Sequence, residues 1–203
     1  MIHTRLMAIL GLAALLLASG CATVNTRHPA LAEEAGPKVA SVYFIRPQPL
    51  FSDDFADAPV TIEFQGKKLL KLSERTYTLV YLKPSRGELK IYNNTYFTNR
   101  PSSQRVWKER EYRFVAGRTY FIHVKQLNEE FRGIFYEPEL VGLEEAKKLA
   151  RHLYRIGPAA NAHPIAKLTA VAAPPQSATR KEEPTLPENL YKPGSYMLKK
   201  KQP

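Results

Sequence analysis

The residue with the most distinctive chemistry in this sequence is Cys21, the single cysteine among 203 residues. A thiol can form a disulfide, bind a metal ion or accept a covalent modification. One cysteine excludes a disulfide within the chain and any cysteine-based metal cluster. The segment that precedes Cys21 therefore indicates how the thiol is used.

Residues 1–20 have the features of a secretory signal peptide. Met1 to Arg5 is a short, positively charged start, and Leu6 to Ala18 is an apolar run. The run is shorter than the roughly 20 apolar residues that a membrane-spanning helix needs, and it fits the central region of a signal peptide. The small residues 18–20 (Ala-Ser-Gly) directly before Cys21 resemble the lipobox of bacterial lipoproteins.

The lipobox resemblance implies that the signal peptide is removed and that Cys21 becomes the lipidated first residue of the mature chain. Lipoproteins of this kind carry three acyl chains, such as palmitate, and more than one chain gives stable membrane attachment. Ala22 follows Cys21, where an Asp retains enterobacterial lipoproteins at the inner membrane. We therefore expect lipid anchoring at the outer membrane, with the protein facing the periplasm.

Other polar clusters predict no catalysis and no metal site. Asp53, Asp54 and Asp57 share one loop, but their spacing is not that of a calcium loop and no glycine provides the sharp turn. A hypothetical catalytic triad can be composed from His123 or His152 with Ser41, Glu109 or Glu111. However, the sequence has no nucleophile elbow and no paired-carboxylate signature. We expect structural histidines, a solvated acidic loop, no cofactor and no enzymatic activity.

The chain is strongly basic, with 30 Lys and Arg against 19 Asp and Glu, a net charge of +11. One basic cluster is formed by Lys67, Lys68 and Lys71. A second basic region is interleaved with aromatic residues: Tyr96, Phe97, Arg100, Arg105, Trp107, Lys108, Arg110, Tyr112, Arg113, Arg118 and Tyr120. Such a pattern suits nucleic acid, but a lipoprotein in the envelope meets none. The alternatives are an anionic lipid, peptidoglycan or an acidic envelope protein, or simply a solvated surface.

Composition divides the mature chain into three parts. Residues 21–37 lack periodicity and predict a tether, and residues 38–156 contain most of the aromatic residues and predict the folded domain. Residues 157–203 contain 8 of the 16 prolines and a basic end, which predicts a flexible tail. Near its end, apolar residues return before a lysine block and suggest a partner-binding motif formed by Leu190, Tyr191, Tyr196, Lys199, Lys200 and Lys201.

The alternation of apolar and polar residues in the domain predicts an all-β fold. We expect strands over 39–46, 59–65, 68–72, 76–82, 88–93, 105–115, 118–126 and 132–137. Ala116-Gly117 has the sequence of a hairpin turn. Residues 142–155 predict one amphipathic C-terminal helix, with Leu143, Ala146, Leu149 and Leu153 on one stripe. Short strands at this spacing, with antiparallel links, favour a small antiparallel β-sandwich or a partly closed barrel.

Two strands carry a further resemblance. The segments VYFIRP (42–47) and AGRTYFIHV (116–124) resemble a family of small bacterial lipoproteins with an uncharacterised domain. This resemblance implies an immunoglobulin-like sandwich and supplies no catalytic residues. We therefore expect a non-catalytic interaction or envelope-maintenance module, with a binding domain for an envelope glycan or lipid as the alternative and a hydrolase ranked last.

Overall fold

The computed structural model describes residues 23–48, 58–95, 102–129, 133–161 and 164–169. The strands formed by these residues are β1 (Ala40–Arg46), β2 (Val60–Phe64), β3 (Lys67–Leu72), β4 (Thr76–Leu82), β5 (Ser85–Thr95), β6 (Gln104–Phe114), β7 (Thr119–Glu129), β8 (Gly133–Val141) and β9 (Tyr154–Arg155). Each segment predicted to be a strand corresponds to a strand among the described residues. Strand β2 alternates apolar with polar residues, whereas β1 and β4 are buried on both faces, and their β-branched and aromatic residues favour a strand.

The strands form two sheets. One has five strands in the order β8-β7-β1-β4-β9, and the other has four in the order β3-β2-β5-β6. The four-stranded sheet is antiparallel. The five-stranded sheet is mixed, since β1 pairs with β7, and β4 with β9, in parallel. An all-β, two-sheet fold is therefore confirmed, whereas a purely antiparallel one is wrong.

The strand order also differs from that of immunoglobulin domains. In those domains the first strand lies beside the second in one sheet. Here β1 lies between β4 and β7 in one sheet, while β2 lies in the other. The expected immunoglobulin-like topology is therefore not the observed one, and the likeness is limited to two packed sheets.

The core lies between the sheets, where apolar side chains from both inner faces meet. Val42, Phe44 and Ile122 contribute from the five-stranded sheet, and Ile62 and Phe64 from the four-stranded one. All five side chains are buried. The apolar residues of β2, Val60, Ile62 and Phe64, therefore form its core-facing side.

The outward residue Thr61 is an exception to the expected alternation of exposure. It lies on the outer face of β2 but is only 6% exposed. Its cross-strand neighbours are Lys71 on β3 and Tyr92 on β5. Long side chains on both sides shield a short residue on a central strand, and this shielding accounts for its burial.

A second apolar layer covers the outer face of the five-stranded sheet. Helix α1 (Leu143–Ala150) and two 3₁₀ helices, Gly157–Ala160 and Ile165–Lys167, pack against Tyr43 and Phe121. Helix α1 ends five residues before the predicted boundary at residue 155, and β9 follows it. The 3₁₀ helices bury Ala159 and Ile165, so the predicted flexible tail is wrong for residues 157–161 and 164–169.

The segment predicted to be a tether is also packed, as far as it is described. Val24 bridges to Leu70 of β3, and Leu31 bridges to Leu82 of β4. Between these bridges His28 is 3% exposed. Its Nδ1 accepts a hydrogen bond from the Ala30 N–H at 3.1 Å, so its Nε2–H donates to the Phe64 carbonyl oxygen at 3.0 Å. The segment closes one open side of the sandwich.

Ala116-Gly117 does form a turn, but the predicted hairpin is wrong. Strand β6 lies in the four-stranded sheet and β7 in the five-stranded one, so the turn crosses between the sheets. The Tyr120 hydroxyl secures this crossing by donating to the Arg113 carbonyl oxygen at 2.9 Å and accepting from the Val115 N–H at 2.9 Å. Buried apolar faces on both strands favour the crossing over direct pairing.

Candidate functional site

The junction between the N-terminal segment and β3 places the start of the folded domain close to Cys21. The Thr23 carbonyl oxygen accepts a hydrogen bond from the Lys71 N–H at 3.1 Å, and the Asn25 N–H donates to the Leu69 carbonyl oxygen at 2.8 Å. Cys21 lies outside the described residues. Because an extended chain covers at most about 3.5 Å per residue, its Cα lies within about 7 Å of that of Thr23.

Thr23 begins a row of residues that crosses the outer face of the four-stranded sheet. Lys71 pairs with Thr61, Thr61 with Tyr92, and Tyr92 with Trp107. With strands about 4.8 Å apart, the row measures about 19 Å from Thr23 to Trp107. The N-terminal junction and the aromatic pair therefore lie at the same level along the strands.

Three residues of this row, Lys71, Tyr92 and Trp107, form with the neighbouring Arg105 a surface that we call the end patch. Trp107 is 48% exposed, an unusually large exposure for an indole. The Arg105 guanidinium lies 5.1 Å from the centre of the Tyr92 ring. Lys71 and Arg105 are also exposed. The end patch therefore combines two aromatic rings with two cations on one exposed surface.

Glu109 and Lys90 lie next to the end patch, two residues along β6 and β5 from Trp107 and Tyr92. Glu109 binds the Lys90 ammonium group at 2.9 Å, and this hydrogen bond raises the pKa of Lys90. The same ammonium group lies 5.7 Å from the centre of the Trp107 ring. Glu109 and Lys90 thus neutralise each other and help to hold the indole in place.

The basic and aromatic residues that the sequence grouped around β6 are divided among several environments. Tyr112 and Tyr120 are buried. Arg110 pairs with Glu137 at 3.0 Å, and Lys108 lies 5.3 Å from the Phe135 ring centre. These side chains connect β6 to β8.

Other members of that group are exposed. Arg113 at the end of β6 and Arg118 at the turn between the sheets lie at the opposite end of the sandwich, whereas Arg105 lies in the end patch. Lys67, from the first basic cluster, is exposed at the start of β3, also at that opposite end. Tyr96, Phe97 and Arg100 lie outside the described residues.

A cleft of about 450 Å³ opens on the outer side of the five-stranded sheet. Its lining is partly aromatic and partly hydroxyl or amide, and it includes Ser41, Tyr43, Tyr81, Thr119 and Asn161. Burial, followed by the nearby Tyr81 and Tyr77, raises the pKa of Tyr43 to about 12. The Tyr43 hydroxyl is therefore protonated at neutral pH and is available to polar ligands only as a neutral group.

The histidines do not lie close to the other residues of the hypothetical catalytic triad. His123 is paired with Ile45 and Ser41 with Thr119 on neighbouring strands, a separation of about 13 Å along the sheet. His123 Nδ1 lies 3.4 Å from Glu139, which also binds Lys125 at 3.2 Å.

Burial lowers the pKa of His123, although Glu139 opposes the shift. Glu109 and Glu111 belong to β6 in the other sheet, and His152 is exposed beyond the end of α1. His123 therefore has the environment of a partly buried structural histidine.

Several sequence predictions fall outside the described residues. These include the acidic loop with Asp53, Asp54 and Asp57, the lipidation site Cys21, and the tail motif formed by Leu190, Tyr191, Tyr196, Lys199, Lys200 and Lys201. Within the ranges given above, no three His, Cys, Asp or Glu side chains come together as metal ligands. Among the described helices, none has both the length and the apolar character needed to cross a bilayer.

Comparison of the chain with protein-family models, curated proteins and solved structures gives no match. The sequence did not predict that the N-terminal junction and the end patch lie side by side. A possible signal was the alternation of Arg105, Trp107 and Glu109, which places these residues on one face of β6, but their position beside the N-terminus depends on strand order.

Proposed function

We propose that this chain is a lipoprotein, anchored through lipidated Cys21 at the outer membrane and facing the periplasm, that acts as a non-catalytic interaction or envelope-maintenance module. The observation that carries the proposal is the hydrogen bond from the Lys71 N–H to the Thr23 carbonyl oxygen. Thr23, which is paired with β3, lies two residues after the cysteine that ends the signal-like segment. Removal of that segment at Cys21 would therefore remove none of the residues that form the described fold.

The anchor proposal agrees with the chemistry of the N-terminus. Acylation consumes a thiol, and Cys21 is the single thiol of the chain. Each buried methylene of an acyl chain contributes about 0.8 kcal/mol, so several chains together hold a protein at a membrane essentially permanently. With so short a connection, the domain stays at the bilayer surface.

The proposal of a binding rather than a catalytic role is supported by the arrangement of polar groups. The residues of the hypothetical catalytic triad lie in both sheets and beyond the end of α1. The two sheets are separated by the packed core. The described surface instead offers exposed aromatic and basic groups. Exposed patches of this kind are typical of interaction surfaces.

Anchoring at one end leaves the opposite end of the sandwich for partners in the periplasm. Exposed Lys67, Arg113 and Arg118 lie there, together with the Arg86–Glu111 ion pair at 2.8 Å. An acidic envelope protein or the carboxylates of peptidoglycan would be attracted to the unneutralised cations.

Photo-crosslinking in intact envelopes tests the interaction role. A photoreactive amino acid replaces Arg118 in one variant and Lys148, which is exposed on α1, in the matched control. We expect a discrete crosslinked product with the first variant and none with the control. Absence of any product, or the same products from both positions, would argue against a partner at this end.

The cleft supports the alternative function, binding of an envelope glycan. Its volume of about 450 Å³ falls within the range of small-molecule sites, and tyrosine rings beside hydroxyl and amide groups suit sugar rings. A soluble muropeptide is a suitable probe. Tyr81→Ala should abolish its binding, whereas Tyr92→Ala on the other sheet should not. Lack of binding by the unsubstituted protein would eliminate this alternative.

A further inference from the structure

We propose that the end patch is a membrane-docking surface that lies on the phospholipid headgroups beside the lipid anchor. This inference rests on the proposed function, because it takes Cys21 as the point of attachment. It adds a second contact with the membrane, made by the folded domain itself. The ligand is a bilayer surface that contains anionic phospholipid.

The first argument is position. The end patch shares a cross-strand row with Thr23, and Thr23 is two residues from Cys21. The connection is too short to lift the domain, since it reaches at most about 7 Å. A bilayer that holds the acyl chains of Cys21 is therefore within reach of the surface that extends about 19 Å from Thr23 to Trp107.

The second argument is residue chemistry. Tryptophan and tyrosine are enriched at membrane–water interfaces, where the ring meets apolar groups and the polar atom stays in water. Trp107 is 48% exposed and stands beside Tyr92. The headgroup region provides an environment that suits the exposed part of this indole.

The third argument is charge. Lys71 and Arg105 are exposed in the end patch, and Arg75 is exposed in the turn that follows β3. Cations close to an anionic bilayer surface are attracted to it. Glu74 also lies in that turn, and Asp53, Asp54 and Asp57 lie in the sequence between β1 and β2. Because these carboxylates reduce the net positive charge, docking depends on the aromatic rings as well as on the cations.

The single tryptophan of the chain makes a direct test feasible. The mature acylated protein is reconstituted into vesicles of phosphatidylethanolamine and phosphatidylglycerol, with or without brominated acyl chains that quench indole fluorescence on contact. Docking predicts that Trp107 loses most of its emission in the brominated vesicles. Equal emission in both kinds of vesicle would overturn the inference.

Matched charge reversals test the surface involved. Arg105→Glu and Arg113→Glu alter exposed residues on the same face of the same strand, at opposite ends of β6. The first should abolish most of the quenching, and the second should leave it unchanged. An equal effect of the two variants would contradict docking through the end patch. Equal melting temperatures of both variants and the unsubstituted protein serve as the folding control.

Vesicle flotation separates this inference from the proposed function. A protein that floats with the vesicles but is not quenched retains its anchor and lacks the docking contact, so only the inference fails. A protein that does not float lacks the anchor, and both proposals fail. A Gly-Ser spacer between Ala22 and Thr23 should preserve flotation but weaken quenching, because the lipid then no longer holds the end patch close to the surface.

Discussion

The Lys71 N–H donates a hydrogen bond to the Thr23 carbonyl oxygen at 3.1 Å, and this bond joins the N-terminal segment to the edge strand β3. Val24 extends the pairing by a bridge to Leu70. A segment rich in alanine and interrupted by prolines thereby becomes part of the fold. The segment contributes few apolar side chains, so its stability depends on hydrogen bonds to the sheet and on His28.

His28→Ala should lower the free energy of unfolding by about 1–3 kcal/mol or more, because buried polar groups lose their partners. The Phe64 carbonyl oxygen and the Ala30 N–H both bind the imidazole ring. Urea unfolding of the mature chain measures the change. Arg27→Ala is the matched control: its exposed side chain should contribute no more than about 0.5 kcal/mol. Equal midpoints for the two variants would mean that the segment is not part of the folded domain.

Truncation distinguishes the packed part of the C-terminal region from the rest. A chain that ends at Arg155 loses Ala159 and Ile165, which are buried against Tyr77 and Phe121. We expect a loss of at least about 2 kcal/mol, as for deletion of a buried isoleucine side chain. A chain that ends at Thr169 should retain its melting temperature. A fall of several degrees for the longer chain would show that residues 170–203 also stabilise the domain.

His123 should make the stability of the domain pH-dependent. Burial lowers its pKa below the ordinary value of 6.5, so the unfolded chain binds the proton more readily than the folded one. Stability is therefore fully present above pH 6.5 and is lost as the pH falls through the pKa of the folded state.

Urea unfolding between about pH 7 and pH 5 checks this prediction. The unsubstituted protein should lose stability over this range more steeply than His123→Gln, which cannot bind the proton. His152→Gln, at an exposed site, should behave like the unsubstituted protein. Identical slopes for His123→Gln and the unsubstituted protein would remove His123 as the cause.

The strands were predictable because each one carries a local signal, either the alternation of apolar and polar residues or a run of β-branched and aromatic residues. Val60, Ile62 and Phe64 alternate with polar residues and enter the core. Which strands pair with one another was harder to predict from the sequence. Ala116-Gly117 has the sequence of a hairpin turn, yet the same residues serve a crossing between sheets, and the difference depends on β1 and β8, which flank β7 far from the turn in the sequence.

The limits of the domain were not predictable because the flanking segments have few apolar residues. His28, Ala159 and Ile165 are buried although their surroundings in the sequence resemble a linker. Their burial depends on gaps that other elements leave at the sandwich edge and over the outer sheet face. The candidate site was predictable in part, since the sequence shows the aromatic and basic character of β6. Its position beside the N-terminus depends on the strand order, which the sequence does not show.

The mass of the N-terminal peptide of the mature protein tests the central claim most directly. Protein is isolated from membranes, digested and analysed by mass spectrometry, with Cys21→Ser as the comparison and Thr23→Ser as a control that keeps the thiol. We predict a peptide that begins at Cys21 and carries three acyl chains, both in the unsubstituted protein and in Thr23→Ser, and no acylated peptide in Cys21→Ser. A mature chain that begins at another residue, or an unmodified thiol on Cys21, would contradict the account.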